Sequence, residues 1–185
     1  MISIPVVPSV LMDLEHYLPE LRVFERERVW MRQHLASAAS NTFPTDQEKL
    51  VGLLGEWACS LYLTGSERSF FEHREHVRDG DGGNDIAGGP FPIDVKSTLV
   101  KTPQGLARLG SFRLFVTEFM LRPPTRFVSA LVPEGMRVVW LCGWATCDDL
   151  QDRGELRTSV RNVSSRSLAV EELRPMATLL PEWRQ

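Results

Sequence analysis

Cysteine is scarce and odd in number. Three thiols, Cys59, Cys142 and Cys147, cannot close a disulfide framework, which points to a reducing compartment. No window reaches the unbroken apolar length of a membrane span. The opening MISIPVVPSVLMDLEH has neither the basic stretch nor the long apolar run of a secretory signal, so a cytoplasmic location is the expectation. Lysine is rare: among 21 basic residues only Lys49, Lys96 and Lys101 are lysines. No G-x-x-x-x-G-K-[ST] loop occurs, so nothing supports ATP-driven action by this chain. No G-x-S-x-G elbow occurs either, which removes the hydrolases built on it. Cys142 and Cys147 lack a second pair and read as core thiols rather than zinc ligands.

What is present suits one globular domain. A chain of 185 residues at 43% apolar composition can bury a substantial core, and no repeat or linker divides it. The net charge of -3 counts mildly against nucleic-acid binding, although a carboxylate-lined metal site would itself lower the total. Residues 1–44 read as a helical extension, helical over 10–39, with Pro19 marking a break or the start of a second helix. The arginines there pair with Glu25 and Glu27, and Arg28 is a candidate phosphate contact. After Pro44, Thr45 and Glu48 form a T-x-x-E capping box. Leu50, Leu53, Leu54, Trp57 and Leu61 then make a helical stripe that stops at Gly65. Glu56 stands off that stripe, and Gly52, Gly55 and Ala58 thin the helix so that its backbone could approach a sheet.

From Ser69 the pattern turns to strands. SFFEHREHV reads as a first strand, and NDIA with FPIDVKS reads as a hairpin about Gly88-Gly89-Pro90. KTPQGLARLG reads as a loop or short helix. SFRLFVTEF, RFVSALV and RVVWLC read as three strands, ATCDDLQDRG as a short helix, and VEELRPMATL as a mixed segment ending at Pro181. Helices first, then a largely antiparallel sheet, then short helical pieces give an α+β or mixed α/β class.

The chemistry concentrates in GDGGNDIAGGPFPIDVKST. Residues two apart share a face of a strand, so Asp94 and Lys96 point together while Ile93 and Val95 point the other way. A sparse oxygen cluster is enough for Mg²⁺, which takes one or two carboxylates plus water and substrate oxygens. Asp85 and Asp94 are the candidate ligands, with the Val95 carbonyl as a further one. Lys96 would help deprotonate an attacking water or stabilise the transition state, and Glu56 would complete the cluster as a ligand or through water. On its own Asp-x-Lys arises often by chance, and its bland reading is a salt-bridged strand. A calcium loop starting at Asp79 fails on spacing, since it would need Gly where Asn84 stands and Glu where Pro90 stands. His73 and His76, three apart on a strand, would face opposite sides and make no zinc pair.

The order of a helix with LLGEWA, then GGNDI, then IDVKS resembles the PD-(D/E)XK nuclease superfamily over roughly residues 45–145, with 146–185 as a C-terminal segment. CGWAT and the tail VEELRPMATL are similar to small members found in phage and mobile elements. The resemblance implies a restriction-endonuclease-like αβββαβ core, a central mixed sheet flanked by helices. It also implies a Mg²⁺-dependent deoxyribonuclease, with Mn²⁺ as a substitute, that leaves a 5′-phosphate. Glu56, Asp85, Asp94 and Lys96 would be catalytic, with Arg28, Arg74, Arg78 and Arg108 as phosphate contacts. DNA is the implied partner. A homodimer would suit cutting of both strands, and a partner protein would suit a nuclease inactive alone. One departure stands out: KTPQGLARLG is short, with Pro and Gly, where the family has a long second core helix. The other reading is a non-catalytic nucleic-acid-binding or protein-interaction module on the same fold.

Overall fold

The computed structural model describes residues 1–16, 46–76, 84–86, 88–101, 111–158 and 163–185. In chain order they form β1 (Ile2–Pro5), α1 (Pro8–His16), α2 (Asp46–Thr64), α3 (Glu67–His76), β2 (Ile93–Val100), β3 (Arg113–Thr117), β4 (Arg126–Pro133), β5 (Val138–Thr146), α4 (Cys147–Arg153), β6 (Glu155–Thr158), β7 (Ser164–Ala169) and α5 (Met176–Trp183). Short 3₁₀ turns cover Glu118–Met120 and Val170–Glu172. The class is mixed α/β.

Four strands lie in the order β1-β5-β4-β2. The first two contacts are antiparallel and the last, β4 with β2, is parallel. Parallel neighbours need a crossover of a dozen or more residues, and residues 101–125 supply it. That crossover carries β3 away into a second sheet, β3-β7-β6, which is antiparallel throughout. The expected single, largely antiparallel sheet is therefore two sheets, one of them mixed. Strand β4 explains the arrangement: it is buried from Phe127 to Val132, as a strand covered on both faces must be. Val128, Ala130 and Val132 join the cluster containing Leu50, Leu54 and Trp57 of α2. Phe127, pointing the other way, joins Leu114, Val116 and Leu168 of the second sheet.

Helix α2 comes closest to β2 and β4 at Gly55, which has no side chain. A Cβ on Gly55 would collide with Ser97 Oγ and press against Ala130 Cβ at 3.2 Å. Gly65, at φ 73°, ends the helix with its N–H donating to the Leu61 carbonyl at 2.9 Å, a left-handed stop that glycine adopts without strain.

Several sequence expectations change. Residues 69–76 are not a strand: Glu67–His76 is helix α3. The paired Phe70 and Phe71 suggest β structure, but the partners repeat at helical spacing. Arg68 meets Glu72 at 2.6 Å, and the Arg74 guanidinium lies 5.6 Å from the Phe70 ring, both i,i+4 contacts. Residues 84–86 form no strand with β2 and instead clasp its edge. The last helix runs past Pro181 to Trp183, held by burial of Trp183 and its edge contact with Phe91. Of the predicted helix at 10–39, Pro8–His16 is seen. Pro19, Arg28, the Thr45 cap, Arg78, Asp79 and the segment with Arg108 lie outside the described residues.

Candidate active site

The strand β2 carries two chemistries on its two faces. Ser97 meets α2 at Gly55, and Ile93 and Val95 belong to the α2-facing core. Alternation therefore turns Asp94 and Lys96 to the opposite face, alongside Phe127 and Ser129, their register partners on β4. There Lys96 Nζ lies 2.6 Å from Asp94 Oδ1, with the aspartate side chain 6% exposed and the lysine side chain 29%. Lys96 Nζ also lies 3.9 Å from Met120 Sδ, which the 3₁₀ turn after β3 brings across from the second sheet.

Because β4 occupies one edge of β2, the other edge has backbone groups to satisfy. Residues 84 and 85 satisfy those at the start of the strand. The Asp85 N–H donates to the Ile93 carbonyl at 2.7 Å, Ile93 N–H donates to Asn84 Oδ1 at 3.1 Å, and Val95 N–H donates to Asp85 Oδ2 at 2.6 Å. In an extended residue the carbonyl points to the same side as the N–H, so the Val95 carbonyl shares this edge with Asp85. The buried Asp85 carboxylate is thereby fixed beside the strand that holds Asp94 and Lys96.

Glu56 has a different neighbour. Its carboxylate forms an ion pair with Arg74 of α3, both side chains largely shielded from solvent. One turn on, burial pushes the Cys59 thiol far above its ordinary range, and the charge of Asp85 adds to the rise. The His73 Nε2 lies 3.2 Å from the Asn84 carbonyl, so α3 backs the same clasp. Of the predicted residues, Asp85 is thus held at the edge of β2, Asp94 and Lys96 pair on its face toward the second sheet, and Glu56 is paired on α2 with Arg74. Among the described residues, no group of three or more His, Cys, Asp or Glu side chains gathers as a metal cage. Arg74, a predicted phosphate contact, is engaged by Glu56.

Sequence reasoning missed Asn84 and Met120. Asn84 had a signal, since an Asx residue at a turn is a ready acceptor for a nearby backbone N–H. Met120 had none, because its contact with Lys96 depends on how β3 crosses between the sheets. Comparison of the chain with family models, with curated proteins and with solved structures returns no match.

Proposed function

We propose that this chain is a metal-dependent deoxyribonuclease of the PD-(D/E)XK kind, working at the edge of β2. The observation that supports it is the Asp94–Lys96 pair on one strand face with Asp85 clasped to the same strand through Val95. Burying a carboxylate is costly unless it is compensated, and at Asp94 a lysine on the same strand face compensates it while staying partly exposed. The restriction-endonuclease-like core belongs to this proposal, with α2, the Asp85 clasp, β2 and the β4–β5 pair as its parts.

The donor chemistry fits Mg²⁺ or Mn²⁺. Asp85, Asp94 and the Val95 carbonyl are hard oxygen donors, and Mg²⁺ fills its remaining positions with water and substrate oxygens. When bound, such an ion acidifies a coordinated water and offsets charge developing on the phosphate. The chain's own residues do the rest. Asp85 and Asp94 hold position on a rigid strand and its clasp. Lys96, the more exposed partner, presents a positive charge or a proton-handling amine to a phosphodiester entering from the second-sheet side. The Glu56–Arg74 pair ties α2 to α3.

One observation favours the second reading, a non-catalytic binding module. Asp94 is almost wholly covered and already answered by Lys96, as a purely structural pair would be. A cleavage assay separates the two. Purified protein meets linear, circular, single-stranded and branched DNA with Mg²⁺, Mn²⁺ or EDTA, beside Asp94→Ala and Lys96→Ala. The nuclease reading expects metal-dependent cutting that both substitutions abolish. Folded protein that cuts no form of DNA would leave the binding module standing.

A further inference from the structure

The outer face of the second sheet and the turn that follows β3 share an unusual feature, two aromatic rings left in water. Phe115 is 46% exposed and Phe119 is 67% exposed. Alternation explains Phe115: its neighbours Leu114 and Val116 are buried against the first sheet, so Phe115 faces outward. The register sets Phe115 opposite Ser167 on β7, and Ser167 opposite Glu155 on β6. Arg113 lies across that row, donating to Ser167 Oγ at 3.1 Å and to the Ser167 carbonyl at 3.2 Å, with Glu155 3.1 Å away. Arg157 reaches the same carboxylate at 3.0 Å and holds its guanidinium 5.9 Å from the Phe115 ring. Two guanidinium groups therefore share one carboxylate, which leaves the face locally cationic although the chain as a whole is acidic.

We propose that this face is a stacking platform for single-stranded DNA that delivers the strand to Asp94 and Lys96. The proposal deepens the nuclease reading and rests on it for the direction of the path. Phe119 immediately precedes Met120, whose sulfur lies 3.9 Å from the Lys96 amine, so the turn that carries Phe119 borders the lysine. An apolar protein partner is disfavoured, because the residues around Phe115 on the sheet are arginine, serine, threonine and glutamate rather than a continuous apolar patch. Duplex DNA is disfavoured because its bases are already stacked and paired, so a surface ring finds no free base face. A single strand offers both things this face can take: bases that stack on aromatic and guanidinium planes, and phosphates that pair with the cations.

The test is binding in EDTA, where hydrolysis plays no part. Fluorescence anisotropy would follow a labelled single strand, the same sequence as a duplex, and an RNA of that sequence, across a salt series. Wild type is expected to prefer the DNA single strand. Phe115→Ala and Phe119→Ala would each weaken that binding at least about fivefold, the lower end of the scale of one lost base stack. Phe115→Tyr, which keeps a ring, would restore it. Arg157→Gln would reduce both affinity and the salt slope. The platform is overturned if duplex or RNA binds as well as the DNA single strand, or if the alanine variants, folded by circular dichroism, bind as wild type. Ring-dependent binding of single strands by a chain that never cuts would sink the nuclease and spare the platform. Metal-dependent cutting by a chain indifferent to both rings would do the reverse.

Discussion

Asp94 and Asp149 are buried to nearly the same extent, 4% and 9% exposed, and are held in opposite ways. Asp149 occupies the third position of α4, in a capping box with Thr146. Its Oδ2 accepts from the Thr146 N–H at 3.0 Å and from Arg174 Nε at 2.7 Å. Its Oδ1 accepts from Arg153 at 2.9 Å and from Arg174 at 3.1 Å. Each of these contacts closes a backbone need of the helix start or fastens the chain around Arg174, whose own N–H and carbonyl bridge to Trp144 of β5. The cation beside Asp94 comes from two residues along its own strand. Similar burial therefore conceals two arrangements. One acid is built into a helix cap, and the other is paired with a lysine on the same face of a strand.

The largest expected effect tests that division directly. Asp94→Asn should lower cleavage by about a hundredfold or more, the scale associated with removing a group that acts on the reacting atoms, with little change in the urea unfolding midpoint. Asp149→Ala should do the opposite. It loses a helix cap and leaves two arginines without their carboxylate. Because Arg153 and Arg174 are about half exposed, solvent screens them, and the cost is about 2 kcal/mol rather than that of a wholly buried pair. Cleavage per folded molecule should be unchanged. Equal destabilisation by both substitutions, with equal loss of activity, would erase the distinction.

Much of this was legible beforehand, and the parts that were not share a cause. The stripe from Leu50 to Trp57 gave α2, and period-two alternation gave the common face of Asp94 and Lys96, because both signals are local. The allocation of β3 to a second sheet was hidden, since its partner on β7 is distant: Arg113 meets Ser167 54 residues away. Helix α3 was misread because Phe70 and Phe71 suit a strand, while the docking that decides the matter lies in α2. The same docking brings together Glu56 and Arg74, which the sequence assigned to separate tasks, a metal site and a phosphate contact. Asp149 was visible as T-x-x-D in ATCDD and passed over, since only Arg174, folded in from the tail, shows how much depends on it.

Two glycines sharpen the comparison at a smaller scale. A Cβ on Gly143 would lie 2.7 Å from both the Arg174 carbonyl and Leu173 Cβ, so the segment holding Arg174 must move. Gly143→Ala is expected to cost about 1–3 kcal/mol and to leave the chemistry intact. The clash at Gly55 falls mainly on the Ser97 hydroxyl, a side chain that can rotate, with Ala130 Cβ less crowded at 3.2 Å. Gly55→Ala should therefore be the milder change in stability, about 1 kcal/mol. It pushes on the strand that carries Asp94 and Lys96, so it should reduce cleavage more than Gly143→Ala does. Thermal melts and cleavage rates on the two variants check both halves, and the opposite ranking in activity would detach the site from β2.

The smallest effect is in acid. Burial alone pushes the Asp149 carboxyl up, but the hydrogen bonds from Arg174, Thr146 and Arg153 outweigh it and hold the group well below the usual carboxylate range. The folded chain then binds fewer protons at this position than the unfolded chain, so its contribution to stability rises with pH across that interval. It is fully present above the unfolded carboxylate value, about 3.9, and is lost as pH falls toward the depressed folded value. Solvent screening at the half-exposed arginines limits it to about 1 kcal/mol. Urea midpoints of wild type and Asp149→Asn should therefore differ most at neutral pH and draw together as the solution is acidified. An Asp94→Asn variant should track wild type more closely at neutral pH. A gap for Asp149→Asn that persisted undiminished into strong acid would mean that shape and packing, not the charged hydrogen bonds, make Asp149 the structural member of the pair.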